Sequence, residues 1–206
     1  IARLSEMPKA IFVTAMDTNP LSLDPTIVIN EHLDAFNKGI NVLSKLAKKV
    51  FVCTAPGVDV VKDVASNVVV EQFSGPHPAG NVGTHIHHLA PVTAEKVVWH
   101  LGYQDLISIG KLFESGEIFN ERVIALGGPM ARNPRLIKTQ TGACISKLTR
   151  GEFYPFGDTR IISGSVFNGR TLEKNICYLG KYHNQITLIK EGVEREFLGW
   201  HSPGIN

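Results

Sequence analysis

Residues 10–15 (AIFVTA) form a short, almost entirely apolar run, and residues 50–54 (VFVCT) and 67–71 (NVVVE) form two more. Runs of this length without polar alternation suit strands buried on both faces of a parallel sheet. Between the first two, Leu33, Phe36, Ile40, Leu43, Leu46 and Val50 recur at steps of three and four, which predicts an amphipathic helix. Asn30 is the N-cap this pattern offers, with Glu31 and Asp34 in the first turn. Lys45, Lys48 and Lys49, the densest basic group in the chain, fall in its last turn, where they match the helix dipole. Residues 58–65 predict a short second helix. Residues 96–100 (KVVWH) predict a fourth strand. Residues 103–114 predict a helix with Leu106, Ile109 and Phe113 on one face and Gly116 just past its end. Strand and helix in alternation argue for a right-handed, Rossmann-like α/β layer.

The texture changes near residue 121. Residues 122–126 predict a strand, 127–134 a turn and 135–139 a returning strand. A short helix over 142–148 follows, then strands over 160–166, 185–190 and 195–198. This order predicts a compact β-grasp-like α+β unit. The chain thus divides into a Rossmann-like α/β domain over 1–120 and a β-grasp-like domain over 121–206, the second cut short. The boundary falls near 116–121, and no internal repeat is present.

Composition narrows the function classes. The chain has 206 residues, 43% hydrophobic and 19% charged, which is enough apolar surface for a packed core. A net charge of +2 is too small to argue for a nucleic-acid partner. Cys53, Cys144 and Cys177 lie far apart without C-x-x-C spacing, against a disulfide scaffold, a zinc ribbon or an iron–sulfur site. They are expected to fill the core in a reducing compartment. No apolar run reaches the roughly 18–20 residues that span a bilayer, and no signal-peptide pattern is present. Ile1 and Asn206 read as the ends of an excised piece of a longer protein.

The most informative stretch is 75–89, GPHPAGNVGTHIHHL, with three glycines, two prolines and four histidines. It reads as a loop whose backbone N–H groups can approach a ligand or partner closely, with 84–89 starting a helix. The spacing of His85, His87 and His88 can bring two imidazoles to a metal. Nothing nearby completes a tetrahedral set, the next acidic residue being Glu95, and no metal is expected. Gly80, Gly83 and Thr84 could cradle a phosphate at a helix N-terminus. The stretch is not G-x-G-x-x-G, however, and the first strand runs instead into Asp17, Thr18, Asn19 and Pro20. The usual dinucleotide loop is missing from its place. No G-x-S-x-G elbow exists, and Ser163 and Ser165 around Gly164 suggest close packing. Cys53 suits a structural thiol, and Trp99 and Trp200 suit core or interface anchors. No catalytic residue is assigned.

Five stretches carry a family resemblance: FVTAMDTNPLSLDP (12–25), GPHPAGNVGTHIHHLAPV (75–92), VVWHLGYQDLISIGKLFESGE (97–117), GGPMARNPRLIKTQTGA (127–143) and RIISGSVFNGR (160–170). In this order, over nearly the whole chain, they resemble the middle portion of the NqrA family, a component of the bacterial sodium-pumping NADH:quinone oxidoreductase. More distantly the chain is similar to the RnfC electron-transport protein and to the flavin-binding component of complex I. The resemblance implies a Rossmann-like domain that has lost its nucleotide loop, followed by a β-grasp domain of the soluble-ligand-binding (SLBB) type. It implies a part in sodium-coupled electron transfer from NADH to ubiquinone, with no cofactor held by this chain. FAD, FMN, riboflavin, iron–sulfur and ubiquinone would reside on other subunits. The implied partners are those subunits, above all the membrane-embedded NqrB, with ubiquinone as a candidate ligand, and no nucleic acid. The implied location is peripheral, at the cytoplasmic face of the bacterial inner membrane. The candidate quinone contacts are Gly80, Gly83, Thr84, His85 and His87, because histidine can donate a hydrogen bond or proton to a quinone oxygen near neutral pH. Two readings compete: an assembly module without a ligand, and an independent flavin or nucleotide enzyme.

Overall fold

In a computed structural model the chain is described over residues 6–155, 157–173, 175–192 and 201. Four parallel strands, β1 (Ala10–Ala15), β2 (Val50–Thr54), β3 (Val68–Gln72) and β4 (Val98–Gly102), form one sheet in the order β3-β2-β1-β4. The central strands are the most apolar: β2 is buried throughout and β1 everywhere but Thr14, while β3 and β4 at the edges are half-exposed. Phe12 and Phe51 meet in register and stack at 4.9 Å.

Helices α1 (Pro25–Glu31), α2 (Leu33–Leu43) and α4 (Tyr103–Ser115) cover one face, and α3 (Val82–Leu89) covers the other. The predicted helix between β1 and β2 is two helices. Asp24, not Asn30, is the first N-cap: its Oδ1 accepts the Thr26 N–H at 2.9 Å, and Pro25 opens the helix. Asn30 lies inside α1, and the chain breaks at His32. α2 ends at Leu43, so the three lysines fall beyond it and Val50 belongs to β2. Asn67 explains the stop, since its Nδ2 donates to Ser44 O at 2.9 Å and Ala47 O at 3.0 Å.

No helix forms over 58–65. Asn37 and Asn41 of α2 hold this segment instead, donating to Val60 O and Asp63 O and accepting from Lys62 N and Ala65 N at 2.8–3.2 Å. The β-branched Val58, Val60, Val61 and Val64 gain little as a helix, and Val60 is buried in the core. α4 ends on Gly116 as expected, at φ 75°. Its buried face is Tyr103, Leu106, Ile107 and Gly110, whereas the predicted Phe113 is 61% exposed. The rotation follows from the approach of α2, whose backbone passes so close at Gly110 that this face must turn inward.

The second sheet comprises β5 (Glu121–Gly127), β6 (Arg135–Gln140), β7 (Thr159–Ser163), β8 (Arg170–Thr171) and β9 (Gln185–Lys190), ordered β6-β5-β9-β7-β8. β5 and β9 are parallel and the other pairs antiparallel. With the single turn α5 (Ile145–Leu148) this is a small β-grasp-like α+β unit. β7 stops three residues earlier than expected because Gly164 turns at φ 98°, and the two-residue β8 carries no pattern a sequence could reveal. The strand expected over 195–198, and Trp200, lie outside the described residues.

β5 serves both cores by simple alternation. Val123 and Ala125 join the α/β core, and Ile124 and Leu126 join the core with Ile145, Ile186 and Leu188. Of the three cysteines expected to fill the core, only Cys53 does. Cys144 and Cys177 are partly exposed and belong to neighbouring segments. Among the described residues no helix is long and apolar enough to cross a membrane.

Candidate functional site

The strand order reverses beside β1, and ligands of open α/β sheets bind beyond the carboxyl ends of strands at such a point. A crevice of about 510 Å³ opens past the carboxyl ends of β1, β2 and β3, on the β2 side of that reversal, lined by Met16, Asp17, Leu23, Asp24, Ala55 and Phe73 among others. The β1–α1 loop that forms its floor contains no glycine. Asp17 Oδ1 accepts from both the backbone and the side-chain nitrogen of Asn19 at 2.8 Å, folding the loop on itself. The first free donor of α1, Thr26 N–H, is taken by Asp24. A pyrophosphate would therefore face two carboxylates and an N-terminus already capped by the chain itself.

The glycine–histidine stretch packs beside this loop and is half helix, with α3 beginning at Val82 after the N-cap Asn81. Its His77–Pro78 bond is cis. Gly80 N–H donates to Thr18 Oγ1 at 2.9 Å, and a Cβ on Gly80 would stand 2.7 Å from Thr18 N, so only glycine fits. Thr18 Oγ1 also lies 3.2 Å from His77 Nδ1, and the His77 ring packs on Phe167 with centroids 5.0 Å apart. Asn168 meets Asn19 at 3.4 Å, and Gln185 Nε2 donates to Pro20 O at 2.9 Å. The β1–α1 loop is thus clamped between α3's approach and the second sheet.

The five candidate residues do not share one surface. Gly80 is buried against Thr18, and Thr84 Oγ1 donates to Pro78 O at 2.9 Å. His85 is fully buried, with its ring 4.3 Å from Phe73. Gly83 has open space beside it, and His87 is exposed on the far side of α3, next to His88. Phe73, Met16 and Leu23, which line the crevice, were not singled out in the sequence; the rule that ligands sit past the end of β1 is the signal that could have found them. Among the described residues no group of three or more histidine, cysteine or acidic side chains could hold a metal.

A family model described as "NqrA second alpha/beta domain" matches residues 1–118, and a second, "NQRA C-terminal domain", matches residues 123–174. The chain belongs to the NqrA family. It is 54% identical over 200 residues to the corresponding component of the Na(+)-translocating NADH-quinone reductase of Hahella chejuensis, covering 97% of this chain and 44% of that one. It is 53% identical over 195 residues to the same component of the Shewanella denitrificans reductase, covering 94% and 43%. The chain spans less than half the length of these NqrA relatives. Its fold is similar to a chain of the NAD+-reducing [NiFe]-hydrogenase in the H2-reduced state (TM-score 0.61, 10% identity) and in the air-oxidized state (TM-score 0.64, 11% identity). Each match covers 90% of this chain and 41% of the other.

In this NqrA chain His85 and His183 are both held neutral. Burial pushes the His85 pKa below its ordinary 6.5, against a smaller opposing pull from the Ala79 carbonyl. Since a carbonyl only accepts, His85 Nε2 carries the proton and donates to Ala79 O at 2.9 Å, leaving Nδ1 buried without a partner. Burial, then the Arg170 charge, lowers His183 as well. Both pKa values are lower in the folded chain than in the unfolded one, so the unfolded state gains protons first as pH falls. Stability is therefore fully present well above pH 6.5 and declines as pH falls through that value toward the folded pKa values. Urea midpoints at pH 7.5, 6.5 and 5.5 should fall in that order, and His85→Phe should make the decline shallower. Equal midpoints across this range would refute the assignment.

Proposed function

We propose that this chain is the central part of NqrA as a peripheral component of a sodium-translocating NADH:quinone reductase, working at the cytoplasmic face of the bacterial inner membrane beside the membrane-embedded NqrB. In this reading it contributes packing surface for sister subunits and one wall of a quinone-linked site, while FAD, FMN, riboflavin and iron–sulfur stay on other subunits. The observation that carries it is the crevice past β1, where Asp24 takes the first helix donor a nucleotide would need. Beside the two carboxylates the crevice offers a ligand an apolar wall of Met16, Leu23 and Phe73, with space for a neutral ring. His85, directly behind Phe73, and the exposed Gly83 and His87 are then second-line contacts.

The test is saturation-transfer NMR on this chain with a short-chain ubiquinone, FMN and NADH, each in turn. Transfer to the quinone alone is expected, with about a tenfold weaker affinity after Phe73→Ala, the loss of one aromatic wall. Transfer to FMN or NADH would sink this reading in favour of an independent nucleotide enzyme. Silence with all three would leave the assembly role. A separate feature favours that role: Phe113, Ile118 and Tyr182, 61–78% exposed, lie at or near a cleft of about 420 Å³.

A further inference from the structure

The second domain brings together two cysteines that the sequence keeps far apart. Cys144 is the residue before α5, and Cys177 lies on the segment paired with it. Cys144 and Tyr178 form an antiparallel bridge. Ile145 N–H donates to Cys177 O at 2.8 Å, and Leu179 N–H donates to Ala143 O at 2.9 Å. Cys177 is thus the diagonal neighbour of Cys144 across this bridge, one residue from its partner Tyr178, and its thiol is near enough to act on the Cys144 sulfur. Both are free and partly exposed, whereas Cys53 is sealed inside the first sheet.

The surroundings of Cys144 favour its thiolate. Ser146 Oγ stands 3.1 Å from its sulfur, and the Lys147 N–H, the Cys177 thiol and the Ser146 N–H add to the stabilisation, so its pKa is lowered. Cys53 is the opposite case: burial first, then the Glu71 charge, push it up to about 12. Thiolates rather than thiols are the nucleophiles of cysteine chemistry, so Cys144 and Cys53 differ sharply in reactivity.

We propose that Cys144 and Cys177 form a reversible disulfide that fastens α5 to the 176–179 segment, with Cys144 as the peroxide-reactive member. The Cys144 thiolate attacks the outer oxygen of a hydroperoxide. The O–O bond breaks, the alcohol or water leaves with one proton, and Cys144 becomes a sulfenic acid. The Cys177 thiolate then attacks the Cys144 sulfur, the S–S bond forms and water leaves. Over both steps the thiol pair loses two electrons and two protons, and the hydroperoxide is reduced to alcohol and water. An external dithiol reverses the reaction. The pair lies in the second domain, so its chemistry is independent of what the crevice past β1 binds.

The experiment is hydrogen peroxide titration of the whole chain, followed by alkylation, intact-mass measurement and peptide mapping. Wild type should lose two alkylation sites together, yield one peptide pair joined through Cys144 and Cys177, and recover both thiols in dithiothreitol. Cys53 should stay reduced. Cys177→Ser should accumulate a sulfenic acid at Cys144 that dimedone captures, and Cys144→Ser should consume peroxide about tenfold more slowly. The wild-type peptide map decides the question even if a variant folds poorly. Separate overoxidation of the two residues without a link, an intermolecular dimer on a non-reducing gel, or an unchanged thiol count would each overturn the proposal.

Discussion

Replacing Gly110 by alanine is expected to destabilise the chain by about 3 kcal/mol or more, a large fraction of a domain's net stability. Local propensity points the other way, because alanine in a helix interior is favoured over glycine by about 1 kcal/mol. Packing decides the sign. A Cβ at Gly110 would stand 1.8 Å from the Ala35 carbonyl oxygen, 2.6 Å from its carbon and 3.0 Å from its Cα. All three are backbone atoms, so no rotamer relieves the overlap and α2 must move away from α4. That separation would open the contact between Ala35, Phe36 and Ile40 on one helix and Leu106 and Ile107 on the other, the centre of the α/β core. Gly83→Ala is the control. It also sits in a helix, with nothing within 4 Å of the new Cβ, and should stabilise by about 0.5–1 kcal/mol. Urea unfolding of the two variants measures both signs. A Gly110→Ala midpoint equal to wild type would show that the helices do not approach this closely.

Gln104→Leu should cost about 2–5 kcal/mol, although leucine fills a similar volume and removes no charge. The reason lies at the edge of β5. β9 pairs with β5 only over Ala125, Leu126 and Gly127, so at Val123 that edge has no neighbouring strand. The Gln104 amide takes the strand's place, with Nε2 donating to Val123 O at 2.8 Å and Oε1 accepting Val123 N–H at 2.9 Å. Gln104 is buried, so leucine would leave a backbone donor and a backbone acceptor unsatisfied away from water. Beside it, Asp105 pairs with Arg122, so two successive residues of α4 tie the first domain to the first strand of the second. Hydrogen exchange at the Val123 amide should accelerate in the variant along with the fall in urea midpoint. An unchanged exchange rate would mean that the amide does not carry this edge.

The legible parts of the fold were those in which nearby residues decide the outcome. The unalternated runs at β1 and β2 can only be strands buried on both sides, and the parallel sheet follows. Gly116 at the end of α4 and the apolar span of β5 were visible for the same reason, as was the missing glycine loop after β1. One local signal was present but misread: Asp24 followed by Pro25 is an N-cap and a first helical residue, and it starts α1 ahead of Asn30. The candidate site was legible only as a region, since the 75–89 stretch does pack beside the crevice, but its composition does not say which side chains face outward.

What the sequence determined by itself was thus the class of the fold, the order of its main elements and the absence of an ordinary dinucleotide loop. Tertiary structure alone decided where Asn67 would end α2, how Asn37 and Asn41 would replace a helix over 58–65, and which face of α4 Gly110 would turn inward. It also decided that His85 is buried behind Phe73 while His87 faces out, and that Cys144 meets Cys177. Caps, turns and periodicity act within about four residues of chain. These later outcomes depend on groups brought together across a dozen or more residues, where close packing and the need to satisfy buried polar groups select the partner.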